Sequence, residues 1–227
     1  MVGLLTTDST GGGRRSAAEL CSLLLDQLPV TGVSISVVGR SGQFVIGASD
    51  LVAARLERLQ FDLGEGPHWV ASRTARPVLV PDLQDADHSG WPVFGAAAAA
   101  SGAVALFAIP MVLGAVMIGV VDMYRASPGP LSTPEVARAL ALAALIGPAA
   151  MRLASQQGDE SRPGDEHGPG IRREVHQATG MILAQLGTSA TEAFVRLQAY
   201  AFAHAQSVEY VAGEVVARRL DFRNEAT

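Results

Sequence analysis

The chain has 227 residues, 48% hydrophobic and 17% charged, enough apolar material to exclude global disorder and to fill one large core or two small ones. A formal net charge of −5 at pH 7 excludes a uniformly basic nucleic-acid binder, so any RNA contact must be a local patch. All 17 basic residues are arginine, which excludes Walker-type phosphate loops, protein kinases, Schiff-base enzymes and phospho-receiver domains, because each needs a lysine.

Residues 1–13 are polar and glycine-rich without an apolar h-region, and read as a disordered tail rather than a signal peptide. Ser16 with Glu19 forms a capping-box pattern ahead of a helix running through Cys21, Leu24 and Leu25 to Leu28. Cys21 is the only cysteine. An internal disulfide, a cysteine-based zinc site and paired-cysteine redox chemistry therefore fall away, and a reducing cytoplasm is expected. Residues 32–38 and 43–47 read as strands of a hairpin joined across 39–42. Asp50 caps a short helix over 51–59, and residues 61–67 form a turn with two glycines ahead of Pro67, the first residue of a new helix. Residues 77–83 are a strand boxed by prolines, which places it at a sheet edge.

Residues 89–121 carry no charge, and hydropathy alone suggests a membrane span. Pro110, Gly102, Gly114 and Gly119 cut the stretch into short pieces, and Val, Ile, Phe and Met dominate 103–109 and 111–121. Two buried strands are the expectation. Thr133 and Pro134 then open a long alanine- and leucine-rich helix to about Gln156. The order of elements predicts an α+β domain with one mostly antiparallel sheet flanked by helices.

Four short motifs, in order, resemble those of a GAF domain: Leu28-Pro29-Val30-Thr31-Gly32-Val33-Ser34, Gly64-Glu65-Gly66-Pro67, Trp91-Pro92-Val93-Phe94, and Met123-Tyr124-Arg125 followed by Pro128-Gly129-Pro130-Leu131-Ser132. The resemblance is greatest to the GAF modules of actinobacterial regulators. It implies a sensor domain over residues 14–156 whose pocket lies between the sheet and its covering loops. By position His68, Trp69, Trp91 and Phe94 are candidate ligand-lining residues, though core or loop packing suits them equally. Relatives often have a cysteine where His68 stands, so cysteine redox sensing at that place is not expected. No catalytic residue, cofactor or metal site is read from the sequence.

Residues 157–170 are rich in Gly, Pro and acid and read as a flexible linker. Beyond it Ile171, Val175, Ala178, Ile182 and Leu186 form a stripe of helical period ending at Gly187. Ser189 with Glu192 opens a second helix burying Ala193, Leu197, Tyr200 and Ala201, and Ser207 opens a third whose apolar face runs from Val208 to Leu220. The expectation is an all-α three-helix bundle over 171–227, small enough to lean on a partner surface or on dimerisation.

Val175-His176-Gln177-Ala178-Thr179-Gly180-Met181-Ile182, Glu192-Ala193-Phe194-Val195-Arg196-Leu197, Ala199-Tyr200-Ala201-Phe202, Val211-Ala212 and Val215-Val216 resemble the ANTAR domain in order and spacing. The resemblance implies an RNA-binding module that acts as a homodimer. Such a module recognises tandem hairpins in nascent transcripts and so prevents a terminator from forming. Candidate RNA-binding residues are Arg172, Arg173, His176, Gln177, Thr179, Gly180, Arg196, Arg218 and Arg219, because arginine forks and polar groups read RNA loops. Glu174, Glu192, Glu209, Glu214 and Asp221 nearly cancel the arginines. Gly180 suits close helix packing, its commoner use, or close approach of RNA. Tyr200 and Phe202 read as core, and His204 as a surface or capping residue.

Two functions remain open on the sequence. One is an RNA-binding antitermination regulator, cytoplasmic and homodimeric, whose GAF domain senses a small molecule or other signal. The alternative keeps that sensor and makes the helical module a protein-docking or dimerisation element without RNA binding.

Overall fold

A computed structural model describes residues 16–39, 42–85, 90–160 and 170–225. The expected tail and most of the expected linker lie outside them. The elements are α1 (Ala17–Gln27), β1 (Gly32–Gly39), β2 (Gly42–Ala48), α2 (Leu51–Leu63), α3 (Pro67–Thr74), β3 (Val78–Val80), α4 (Pro92–Ala99), β4 (Ala105–Leu113), β5 (Val116–Arg125), α5 (Thr133–Glu160), α6 (Gly170–Leu186), α7 (Ala190–Ala203) and α8 (Val208–Val216).

The five strands form one antiparallel sheet in the order β2-β1-β5-β4-β3. Side chains alternate across a strand, and here the alternation separates two cores. Val33, Ile35 and Val37 of β1, with Phe107, Ile109, Met111, Val121 and Met123, pack beneath α1 and α5 against Leu20, Leu24, Ala143, Ile146 and Ala150. The opposite face carries Ser34, Asp122, Leu106 and Tyr124 toward α2, α3 and α4. Helix α5 lies close on the sheet at Gly147, where a Cβ would stand 2.6 Å from Ile118 Cδ1. Among the described residues α5 is the one helix long and apolar enough to cross a membrane, by length and composition.

Several boundaries differ from the sequence expectation. Helix α2 runs one turn further, to Leu63, and ends at Gly64 with φ +64°. Pro110 does not divide the charge-free stretch: it sits inside β4, opposite Val120, beyond the reach of short β3, where β4 is itself an edge. Gly119 lies within β5, and the hairpin turns instead at Gly114. Helix α4 is an additional element, opened by Pro92 at its first turn and capped from outside by Glu65. Helix α5 continues past Gln156 to Glu160.

The C-terminal bundle follows the apolar stripes. Val175, Ala178 and Ile182 of α6, Ala193, Leu197 and Ala201 of α7 and Val208, Val211, Ala212 and Val215 of α8 are all buried together. Gly187 ends α6 with φ +64°. Ser189 and Ser207 cap α7 and α8 by accepting from the backbone N–H groups of Glu192 and Tyr210. The third helix stops at Val216 rather than Leu220, because the chain turns through Arg218 with φ +59° and tucks Phe222 under the bundle. Tyr200 is half-buried, and Phe202 is not core but 61% exposed.

Candidate functional site

A partly open cavity of about 10 Å³ lies between the second face of the sheet and its helical cover. Ser34, Leu106, Phe107, Asp122, Met123 and Tyr124 line it from the sheet, and Ala53, Leu56, Gln60 and Pro67 from the cover. Ser34 and Asp122 are cross-strand partners, so the polar floor is set by strand register. Asp122 does not face the apolar cover alone: His68 Nδ1 lies 2.6 Å from its Oδ2, and the histidine is 3% exposed. Buried polar groups persist only when hydrogen-bonded, and this pair meets that requirement.

The Gly64-Glu65-Gly66-Pro67 segment positions the cover. Gly64 closes α2 in the left-handed conformation. Glu65 accepts at Oε2 from the N–H groups of Val93 and Phe94 at 3.2 and 3.1 Å, holding the first turn of α4. Gly66 has φ +116°, and a Cβ there would stand 2.6 Å from Gln60 Oε1. Pro67 then opens α3. Gln60 is thereby fixed from both ends: its Oε1 accepts from the His68 N–H at 2.8 Å, and its carbonyl from Trp69 Nε1 at 2.6 Å.

A second knot holds the start of α2. Asp50 Oδ1 accepts from the N–H groups of Val52 and Ala53 at 2.8 and 2.9 Å and from the Tyr124 hydroxyl at 3.2 Å, while Oδ2 accepts from Ser49 Oγ at 2.7 Å. Gly32 is required beside it, because a Cβ would stand 2.1 Å from Asp50 Oδ2. Burial, then the Asp50 charge and hydrogen bond, raise the Tyr124 pKa.

None of the four expected ligand-lining residues lines this cavity itself. His68 stands behind the cavity on Asp122, and Trp69 leans on the core of the C-terminal bundle. Trp91 and Phe94 belong to the core between α2, α4 and the sheet, Phe94 with no exposed surface. Among the described residues no group of three or more His, Cys, Asp or Glu side chains is placed to hold a metal ion.

On the bundle, Arg172 and Arg173 lie on α6, their side chains outside the described residues. Gln177 and Gly180 follow on the exposed side of α6, while His176 and Thr179 are half-buried. The Thr179 hydroxyl donates to the Val175 carbonyl at 2.7 Å. A Cβ built on Gly180 meets nothing within 4 Å among the described residues, so packing against them does not explain the glycine. Arg218 joins Met181, Gln185, Leu220, Asp221 and Arg223 around a groove of about 230 Å³. Arg196 on α7 pairs with Glu192 at 3.3 Å, and Arg219 with Glu214 at 2.6 Å. Arg223 also pairs with Asp221, and that partner holds the Asp221 carboxyl down at about 2.

The architecture is a roofed antiparallel sheet joined to a three-helix bundle. The GAF domain family matches residues 14–149 and the ANTAR domain family residues 171–216. The chain belongs to the GAF domain family and carries an ANTAR domain behind it; both are regulatory classes of domain. No curated protein matches it. Among solved structures it is similar to the GAF domain of the Acinetobacter phosphoenolpyruvate-protein phosphotransferase, with a TM-score of 0.49 and 13% identity over 65% of this chain and 89% of that one. It is also similar to the GAF domain of the cyanobacteriochrome TePixJ (0.47, 18%, covering 66% and 98%). A third is the GAF-B domain of DevS from Mycobacterium smegmatis (0.42, 16%, covering 63% and 96%).

Ser34, Gln60, Asp122 and Tyr124 line the cavity without having been expected to, although Ser34 and Tyr124 stand in the GAF-like motifs. Asp122 had a signal: it is a lone acid inside the apolar run from Val120 to Tyr124, and an acid in a buried strand needs a partner. Gln60 had none, because the helix carrying it was expected to stop one residue earlier.

Proposed function

We propose that the chain is a cytoplasmic RNA-binding regulator of transcription antitermination. Its GAF cavity takes a small-molecule signal, and its ANTAR bundle binds tandem hairpins in nascent RNA as a homodimer. The observation that carries the RNA reading is the bare outer face of α6, where Gly180 sits in open space in the middle of the family's motif. A mid-helix glycine costs about 1 kcal/mol relative to alanine, and no contact with the described residues offsets it. Close approach of an RNA backbone beside Gln177, Arg172 and Arg173 does. Arg218, at the groove next to Met181, extends that surface.

The test is a titration of the full chain with a tandem-hairpin RNA against an unstructured RNA of equal length. Preference for the hairpins, with only modest weakening by salt because few phosphates are neutralised, is the expected result. Replacing Arg172 and Arg173 together by alanine should abolish most of that preference; equal binding to both RNAs by the unaltered chain sinks the reading.

One observation favours the alternative, a bundle that docks protein instead. Arg196, Arg219 and Arg223 are each tied to an acid of the same bundle, which leaves little free positive charge to attract phosphate. Recovery of protein without nucleic acid on the purified chain supports that reading over the first.

A further inference from the structure

The last turn of α2 belongs to two structures at once. On one side Gln60 lines the sensor cavity and is fixed by His68 and Trp69. On the other, its neighbour Phe61 is 2% exposed and buried in the core of the ANTAR bundle, its ring tilted on Phe194 at 5.6 Å between centroids. Polar contacts surround that plug. Gln198 Nε2 of α7 donates to the Phe61 carbonyl at 2.7 Å. Asp62 Oδ1 accepts from the backbone N–H of Val208, the first residue of α8, at 3.4 Å. Arg58 Nη2 lies 3.2 Å from Glu209 Oε1. Even the glycine that ends α2 fits the junction, since a Cβ on Gly64 would stand 3.0 Å from Gln198 Oε1.

The cavity beneath this turn, about 10 Å³, has room for about one water molecule. Its floor is the middle of a five-stranded sheet, hydrogen-bonded on both sides, whereas its roof is the face of α2 that carries Ala53, Leu56 and Gln60, closed at one end by Pro67 of α3. Interiors are close-packed and do not deform continuously, so an organic molecule enters by lifting α2. We infer that the last turn of α2 is a ligand-released latch. With the cavity collapsed, Phe61, Arg58 and Asp62 hold the ANTAR bundle against the sensor domain; occupancy raises α2, withdraws Phe61 and frees the bundle. The inference rests on reading the cavity as the sensor site, and it supplies the route by which the signal leaves that site.

Two kinds of variant of the full chain test it without a known ligand. Ala53→Met and Ser34→Leu fill the cavity from its roof and its floor, and so imitate occupancy. Arg58→Glu breaks the junction from outside the cavity, and Glu209→Arg added to it restores the pairing with the charges exchanged. The readouts are amide hydrogen exchange along α7 and α8 and the emission of Trp69 in a Trp91→Phe background. At least one filling variant, and Arg58→Glu, should speed exchange in α7 and α8 about tenfold and red-shift Trp69, while β1 and β5 stay protected. The exchanged pair should return both signals toward the starting values. Unchanged exchange in Arg58→Glu overturns the latch. Release by Arg58→Glu, but by neither filling variant when both fold, overturns its coupling to the cavity. Release by the filling variants in a chain for which no small molecule is found leaves the latch standing and counts against the sensor reading alone.

Discussion

The Tyr124 hydroxyl donates to Asp50 Oδ1 across 3.2 Å, joining the end of β5 to the cap of the helix that roofs the cavity. The same carboxylate oxygen receives the first free N–H groups of α2, so one side chain anchors both sheet and roof.

Removing that anchor should be costly and graded. Asp50→Ala loses a helix cap together with a partly buried acceptor, worth about 2 kcal/mol in sum. Tyr124→Phe removes only the shared bond and should cost about 1 kcal/mol. Urea denaturation midpoints read both, with the slope unchanged. Equal losses in the two variants would mean that the cap contributes nothing of its own.

The parts legible in the sequence were those fixed by neighbours along the chain. Ser16, Asp50, Ser189 and Ser207 cap helices where their spacing says they should, because capping is satisfied within three residues. The buried stripe of α6 is equally local. The misread parts depend on distant partners. Pro110 looked like a break until the shortness of β3 left β4 with a free edge there. Glu65 caps α4 from 28 residues away, so α4 had no local start signal beyond Pro92. The cavity lining shares this cause: Ser34, Asp122 and Tyr124 meet Gln60 only through strand register and an extra turn of α2. Trp69 looked like a ligand contact because its partner, the ANTAR core, lies more than a hundred residues on.

Cys21 gives a prediction in pH. Burial, and secondarily the charge of Asp50, push its thiol up to about 11 from 9.0. The folded chain therefore holds the thiol neutral where the unfolded chain ionises it. The folded state's advantage is fully present below pH 9.0 and is lost as pH rises toward 11, by somewhat less than the roughly 3 kcal/mol that two pKa units represent, because solvent screens part of the effect. Cys21→Ala should show a shallower fall in denaturation midpoint across that window than the unaltered chain. At neutral pH the thiol should resist alkylation until the chain unfolds, since the thiolate is the nucleophile; fast labelling of the native chain contradicts this placement.

Gly180→Ala separates packing from recognition. With no described residue within 4 Å of the added methyl, alanine fits the helix and should stabilise the bundle by about 1 kcal/mol through helix propensity. If the glycine exists only to let two elements of this chain approach, the substitution would destabilise the fold instead. If it admits an RNA backbone, stability rises while hairpin affinity falls, because the methyl occupies the space the phosphate chain needs. Thermal melting and RNA titration of the same preparation measure the two effects separately. A stabilised variant with undiminished hairpin affinity would move the RNA contact off this face of α6, toward the Arg218 groove.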